Sequence, residues 1–233
     1  MASHFQRIPR LIFLGAPGVG KGSFASKLGK TWQLPHISTG DMIRAEIKAK
    51  SKLGTEFESY SNNGKLVPDA LVIEIAKNRL SQHDCSNGWI LDGFPRTIHQ
   101  ANQLQTFAGP ALCVNFFLPD YILLQKLSAR RVLLFFCVYI LASFLPMKSG
   151  VITLIFEVCV DCGANYNVAD IRNDIYDMPP LLPKPSDCER CKGNPNLYQR
   201  EDDTEEVVKR RLLVYKDETE PLIEFYSSKV YLF

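Results

Sequence analysis

"LIFLGAPGVGKGSFASKLGKTW", Leu11 to Trp32, decides the fold. A short apolar run ends at Gly15, a glycine-rich turn follows, and from Lys21 the pattern becomes helical. Gly15, Gly18 and Gly20 allow backbone N–H groups to face phosphate oxygens. The helix N-terminus adds positive potential, and Lys21 reaches the outer phosphates. Gly15, Gly18, Val19, Gly20, Lys21, Gly22 and Ser23 therefore form a candidate phosphate site. Gly22 follows the lysine where a serine or threonine would ligate magnesium directly, so that ligand is missing.

Working outward, the alternation repeats. "LPHIS" precedes "GDMIRAEIKAK", "GWILDGF" precedes "TIHQANQLQTFA", and "ALCVNFFLP" precedes "DYILLQKLSARR". Strands that are near-continuous apolar runs alternating with helices predict an α/β fold: a P-loop NTPase-type parallel sheet with helices on both faces. Leu53 to Gln82 interrupts the alternation with helical pattern alone. "DTEEVVKRRLLVYKDETEPLIEFYSSK" predicts a long amphipathic helix, with Asp203 and Glu206 at capping-box spacing.

The totals narrow the function classes. The chain has 233 residues, a net charge of +2 and 22% charged residues. This is an ordinary globular composition that argues against a nucleic-acid or polyanion binder. Seven cysteines without a secretory signal point to a reducing compartment. The expected address is the cytoplasm, with an organelle left open should the N-terminus be incomplete. Cys159, Cys162, Cys188 and Cys191 form two CxxC pairs with zinc-ribbon spacing, against the alternative of free thiols. Cys113 reads as core filler, while Cys85 and Cys137 show no partner pattern.

In order and spacing, "GAPGVGKGS", "STGDMIR", "GKLVPD", "DGFPRT" and "REDDTEEVVKRRL" resemble the adenylate kinase family, in its long-lid form. The resemblance spans Arg10–Arg131 and Cys159 to about Lys229. It implies reversible, Mg2+-dependent phosphoryl transfer from ATP to AMP, giving two ADP. Thr39, Leu66, Val67 and Gln100 would recognise the acceptor adenine, and Arg44 and Arg96 would hold the AMP phosphate. Lys21, Arg96, Arg130, Arg200 and Arg211 would surround the transferring group, with Arg130 also on ATP. Asp92 would orient magnesium through water, and the four paired cysteines would hold a structural Zn2+ in the lid.

Bland readings stand beside these: a surface arginine is usually a solvated charge, and Thr39 could simply cap the helix near Asp41. Lys126 stands where the family usually has an arginine stacked on the donor base, which leaves GTP open as donor. The implied organisation is a core over 1–131 and 200–233, with a helical NMP-binding subdomain at 38–67 inside it. A four-cysteine lid covers 159–199, and an anomalous apolar insertion covers 132–158. The expected protein is a monomer with no nucleic-acid or membrane partner.

The insertion, Val132 to Val158, has 27 residues of which 20 are apolar. Its uncharged part, Val132 to Met147, would make a helix of about 24 Å, short of a roughly 30 Å hydrocarbon core. Removing Val132–Glu157 restores the family's lid entrance. Valine codons begin GT and one glutamate codon ends AG, so the insertion has the limits of a retained intron. Val230 repeats the GT where the family would continue into a last strand and helix. The rival function is thus a catalytically impaired, nucleotide-binding splice variant, with the strand "ALCVNFFLP" lacking its neighbour.

Overall fold

A computed structural model describes residues 9–135, 157–158, 165–182, 197–198 and 203–228. The interior of the apolar insertion, Arg200, the four paired cysteines and 229–233 lie outside these residues, as does the side chain of Arg130. The chain divides into two units, 1–128 with 204–233, and 129–203.

The first unit carries four parallel strands, β1 (Arg10–Gly15), β2 (His36–Ser38), β3 (Trp89–Asp92) and β4 (Leu112–Phe116), in the order β2-β3-β1-β4. Register aligns their carboxyl ends: Phe13 pairs with Asp92, Ser38 with Asp92, and Gly15 with Phe116. Loops leaving that edge hold the phosphate turn, "STGD" and "GFPR", where ligands of open α/β sheets bind. The central strands are buried except at Arg10 and Asp92, with Ile12, Leu91 and Ile90 at most 2% exposed. In β4 only Cys113 is buried, and among the described residues β4 pairs on one side only.

Helices α1 (Lys21–Trp32), α2 (Thr39–Lys48), α3 (Lys52–Asn62), α4 (Asp69–Leu80), α5 (Ile98–Ala108) and α6 (Asp120–Ser128) connect or flank these strands. The helical interruption of the alternation is α3 and α4. Phe57 of α3 is fully buried in one cluster with Ile12, Ile37, Val67 and Leu91. Burial of such a ring removes enough apolar surface from water to stabilise by about 2–3 kcal/mol.

The expected long C-terminal helix is α7 (Glu205–Val214) and α8 (Pro221–Ser227), joined by a π-helical segment, Tyr215–Thr219. There Glu220 N–H bonds to the Tyr215 carbonyl, five residues back. The expected Asp203–Glu206 capping box is not formed: Thr204 is the N-cap and makes no side-chain cap bond, while Asp203 is buried one residue earlier.

The second unit is built around β5 (Arg130–Phe135), which includes the first four residues assigned to the insertion. It pairs antiparallel with β6 (Glu157–Val158), β7 (Asn165–Asn167) and β10 (Leu197–Tyr198). A separate two-strand ribbon joins β8 (Ile171–Arg172) and β9 (Asp177–Met178).

Candidate active site

The phosphate turn is shaped by its neighbours. Gly18 has φ of +84°, and a Cβ there would lie 2.6 Å from Leu127 Cγ on α6. Only glycine permits both the backbone angle and the close approach. Lys21 Nζ donates to the carbonyls of Gly15 (2.7 Å) and Ala16 (3.0 Å), placing the ammonium inside the turn. Gly20 is the N-cap of α1 without a side-chain cap, so the first N–H groups of α1 carry no such partner. Val19 is buried and Ser23 exposed.

Asp92 ends β3. A Cβ on Gly22 would lie 3.1 Å from Asp92 Oδ2, so the carboxylate takes up room that a serine at 22 would need. His36 Nε2 lies 3.5 Å from the same oxygen without hydrogen-bond geometry, and has no other partner. No motif in the sequence pointed to His36.

Two residues of the expected acceptor set, Thr39 and Arg96, meet at one carbonyl. Gly93 O accepts from Thr39 Oγ1 and from Arg96 Nε, both at 2.8 Å. Gly93 has φ of +79°, and a Cβ there would press both Thr39 Oγ1 and Arg96 Nη2 at 3.1 Å. Thr39 is 1% exposed and does not cap α2; that role belongs to Ser38, whose hydroxyl accepts from Asp41 N–H. Arg44 pairs with Asp41 one turn back and covers Gly40. Arg96 follows the cis Phe94–Pro95 bond, and its carbonyl accepts from Thr219 Oγ1 at 2.9 Å.

Gln100, 1% exposed on α5, accepts from Arg96 N–H at 2.7 Å and donates to Asp69 Oδ1 at 2.7 Å. Val67 is buried and Leu66 half-buried just before α4. A cavity of about 680 Å³ is lined by Leu66, Val67, Asp69, Thr97 and His99 together with Glu218. Its lining thus includes Leu66 and Val67 of the expected acceptor set, but not Thr39, Arg44 or Arg96.

Arg211 is half-buried on α7 beside Gly64, which opens the "GKLVPD" segment. Partial burial pushes the Lys126 ammonium on α6 below its ordinary value. The backbone of Arg130 opens β5, opposite Asn167. Asp69, Ser38, Gly93 and Thr219 are positions that motif reading passed over. "GKLVPD" contained Asp69, but only the bond to α5 reveals its use.

Among the described residues no three His, Cys, Asp or Glu side chains are grouped to hold a metal ion. Nor is any described helix long and apolar enough to cross a membrane.

Comparison with known proteins points to one family. The adenylate kinase family model matches residues 13–231. An adenylate kinase of Caldicellulosiruptor saccharolyticus is 42% identical over 225 residues, covering 94% of this chain and 87% of that one. A GTP:AMP phosphotransferase of Plasmodium falciparum is 37% identical over 224 residues, covering 95% and 86%. An adenylate kinase of Clostridium perfringens strain SM101 is 37% identical over 227 residues, covering 94% and 87%.

Proposed function

This chain belongs to the adenylate kinase family and is a nucleoside monophosphate kinase; on that premise we propose that it transfers the terminal phosphoryl group of ATP to AMP. The observation that carries the reading is the Gly93 carbonyl, which gathers Thr39 and Arg96 at the sheet edge that also bears the Lys21 turn.

In this reading the turn from Gly15 to Ser23 receives the donor phosphates on backbone N–H groups, and Lys21 neutralises their outer oxygens. Arg44 and Arg96 fix the AMP phosphate. Thr39, Leu66, Val67 and Gln100 face its base. Arg130, Arg200 and Arg211 complete the cationic surround. Phosphoryl transfer needs in-line positioning and charge neutralisation more than covalent help, which suits a site of arginines and backbone amides.

A single carboxylate, Asp92, beside the phosphate turn suits an ion that keeps most of its water shell. Magnesium held there would offset charge on the donor phosphates. Cys159, Cys162, Cys188 and Cys191 offer the donor chemistry of a structural zinc in a lid over 159–199. The core is assigned to 1–131 and 200–233, with the acceptor subdomain at 38–67 and the apolar insertion at 132–158. A monomer in a reducing compartment such as the cytoplasm fits the thiol-rich composition.

The test is ADP formation by the purified full chain with ATP or GTP as donor and AMP, CMP or UMP as acceptor. ATP with AMP is expected to be the fastest pair. A faster rate with GTP transfers the donor assignment, as Lys126 in place of a stacking arginine would permit. Metal analysis after purification without chelator is expected to give one zinc per chain, lost in Cys188→Ser with a fall in thermal stability. Absence of metal together with an unchanged Tm in that variant removes the ribbon.

A further inference from the structure

We propose that Asp69 determines the acceptor base by locking the Gln100 amide in one orientation. The inference deepens the proposed function and rests on Gln100 facing the acceptor base.

The two ends of a glutamine amide have nearly the same shape and opposite hydrogen-bonding character, so a half-turn exchanges donor for acceptor. At Gln100 both ends meet partners that have no such ambiguity. A backbone N–H can only donate, and Arg96 N–H reaches Oε1 at 2.7 Å. An ionised carboxylate can only accept, and Asp69 Oδ1 lies 2.7 Å from Nε2. Turning the amide would set N–H against N–H and oxygen against carboxylate, in a side chain that is 1% exposed. Unmatched buried polar groups are costly, so the turned form is suppressed.

Asp69 is itself held in place. It lies in the first turn of α4, and its second oxygen accepts from Thr97 Oγ1 at 2.8 Å and lies 3.1 Å from His99 Nδ1. Thr97 Oγ1 also accepts from Gln100 N–H at 3.1 Å as the N-cap of α5. The carboxylate thus reads the start of α5 through two of its residues and the amide through a third.

The locked amide retains one more hydrogen on Nε2 and one more lone pair on Oε1. Adenine offers an acceptor at N1 beside a donor at N6, which complements that pair. Hypoxanthine has the same outline with the roles exchanged, N1–H beside O6. A free amide could turn to match either base, whereas the locked one meets hypoxanthine donor to donor.

The experiment is titration calorimetry of the full chain with AMP and with IMP, for the parent, Asp69→Asn and Gln100→Leu. Binding is read directly, so the result does not depend on turnover. The parent is expected to bind AMP more tightly. Asp69→Asn removes the carboxylate constraint while the Arg96 N–H still favours the parent orientation; it is expected to lower the ratio Kd(IMP)/Kd(AMP) about fivefold, with IMP affinity rising. A purely structural role for Asp69 would weaken both nucleotides together, and a ratio within twofold of the parent overturns the lock. Gln100→Leu separates premise from inference. A ratio unchanged in that variant removes the base-reading role of Gln100, while loss of the ratio there but not in Asp69→Asn overturns the lock alone. Should Asp69→Asn fold poorly, Thr97→Val removes the hydroxyl from Asp69 Oδ2, leaving only His99 beside it and the charge kept. It is expected to shift the ratio in the same direction by a smaller factor, and no shift counts against the lock.

Discussion

A single backbone carbonyl, that of Gly93, holds both Thr39 and Arg96, so the proposed acceptor site depends on the direction of one peptide plane. Arg96 therefore reaches its working position with its Nε already committed and its terminal nitrogens turned beside Gly93. Truncating it by Arg96→Ala should remove about 3 kcal/mol of transition-state stabilisation, on the order of a hundredfold in kcat/KM. A variant within twofold of the parent in ADP formation would exclude the assignment. Cys113 makes a prediction of another kind. It is wholly buried in β4, and burial pushes its thiol up to about 12. A raised folded-state value means that the neutral thiol is favoured by folding. That contribution is complete below the unfolded thiol's value of about 8.5 and is lost as pH rises toward 12. At pH 8 iodoacetamide should thus leave Cys113 unmodified in the native chain and modify it after denaturation, read by peptide mass spectrometry. Lys21, Arg44, Arg96 and Asp92 stand out in the sequence as candidates because each lies in a motif with its own local spacing. His36 and Asp69 do not, because their meaning rests on neighbours in space: Asp92 at 3.5 Å for one, and Gln100 for the other.

At the scale of elements, the four strands and the amphipathic C-terminal segment could be read from period alone, while the π-helical segment could not. An extra residue in a helical ladder leaves the apolar period almost intact on either side, so Tyr215–Thr219 has no local signature. Its consequence is tertiary. Thr219, 8% exposed within it, donates from Oγ1 to the carbonyl of Arg96. The start of α7 also departs from its sequence pattern: Asp203 fits a capping box by spacing, but Thr204 stands as the N-cap and Asp203 is buried one residue earlier. Thr219→Val keeps the shape and removes the donor. The Arg96 carbonyl would lose that bond, at a cost of about 1–3 kcal/mol in unfolding free energy. If the bond also positions the arginine, KM for AMP should rise while KM for ATP stays near the parent value. Equal shifts in both constants, or none in stability, would reduce Thr219 to a passive helix residue.

At the scale of the whole molecule, β5 supplies the geometry for a test of the proposed insertion at 132–158. Arg131 pairs with Tyr166 and Val132 with Asn165, and on the other edge Val132 pairs with Tyr198. Beyond that point β5 turns to a different partner, with Leu134 opposite Val158 and Phe135 opposite Glu157. The first and last residues of the insertion are both valine, so deleting Val132–Glu157 places Val158 after Arg131. A valine then stands again opposite Asn165 and Tyr198 with no change of register. The deletion removes the pairing of β5 with β6 and the Leu133–Leu197 pair with β10, and leaves intact the pairing with β7 at Arg130 and Arg131. It also removes a long apolar stretch that adds to aggregation hazard. The shortened chain is therefore expected to be more soluble on expression and to form ADP faster than the full chain. A deletion of equal length placed within 159–199 should abolish activity. The comparison is made by soluble yield, thermal unfolding and ADP formation on the three proteins side by side. If the full chain is the most soluble and most active of the three, then Val132–Phe135 and Glu157–Val158 are working strands. The segment between them would then belong to the functional protein.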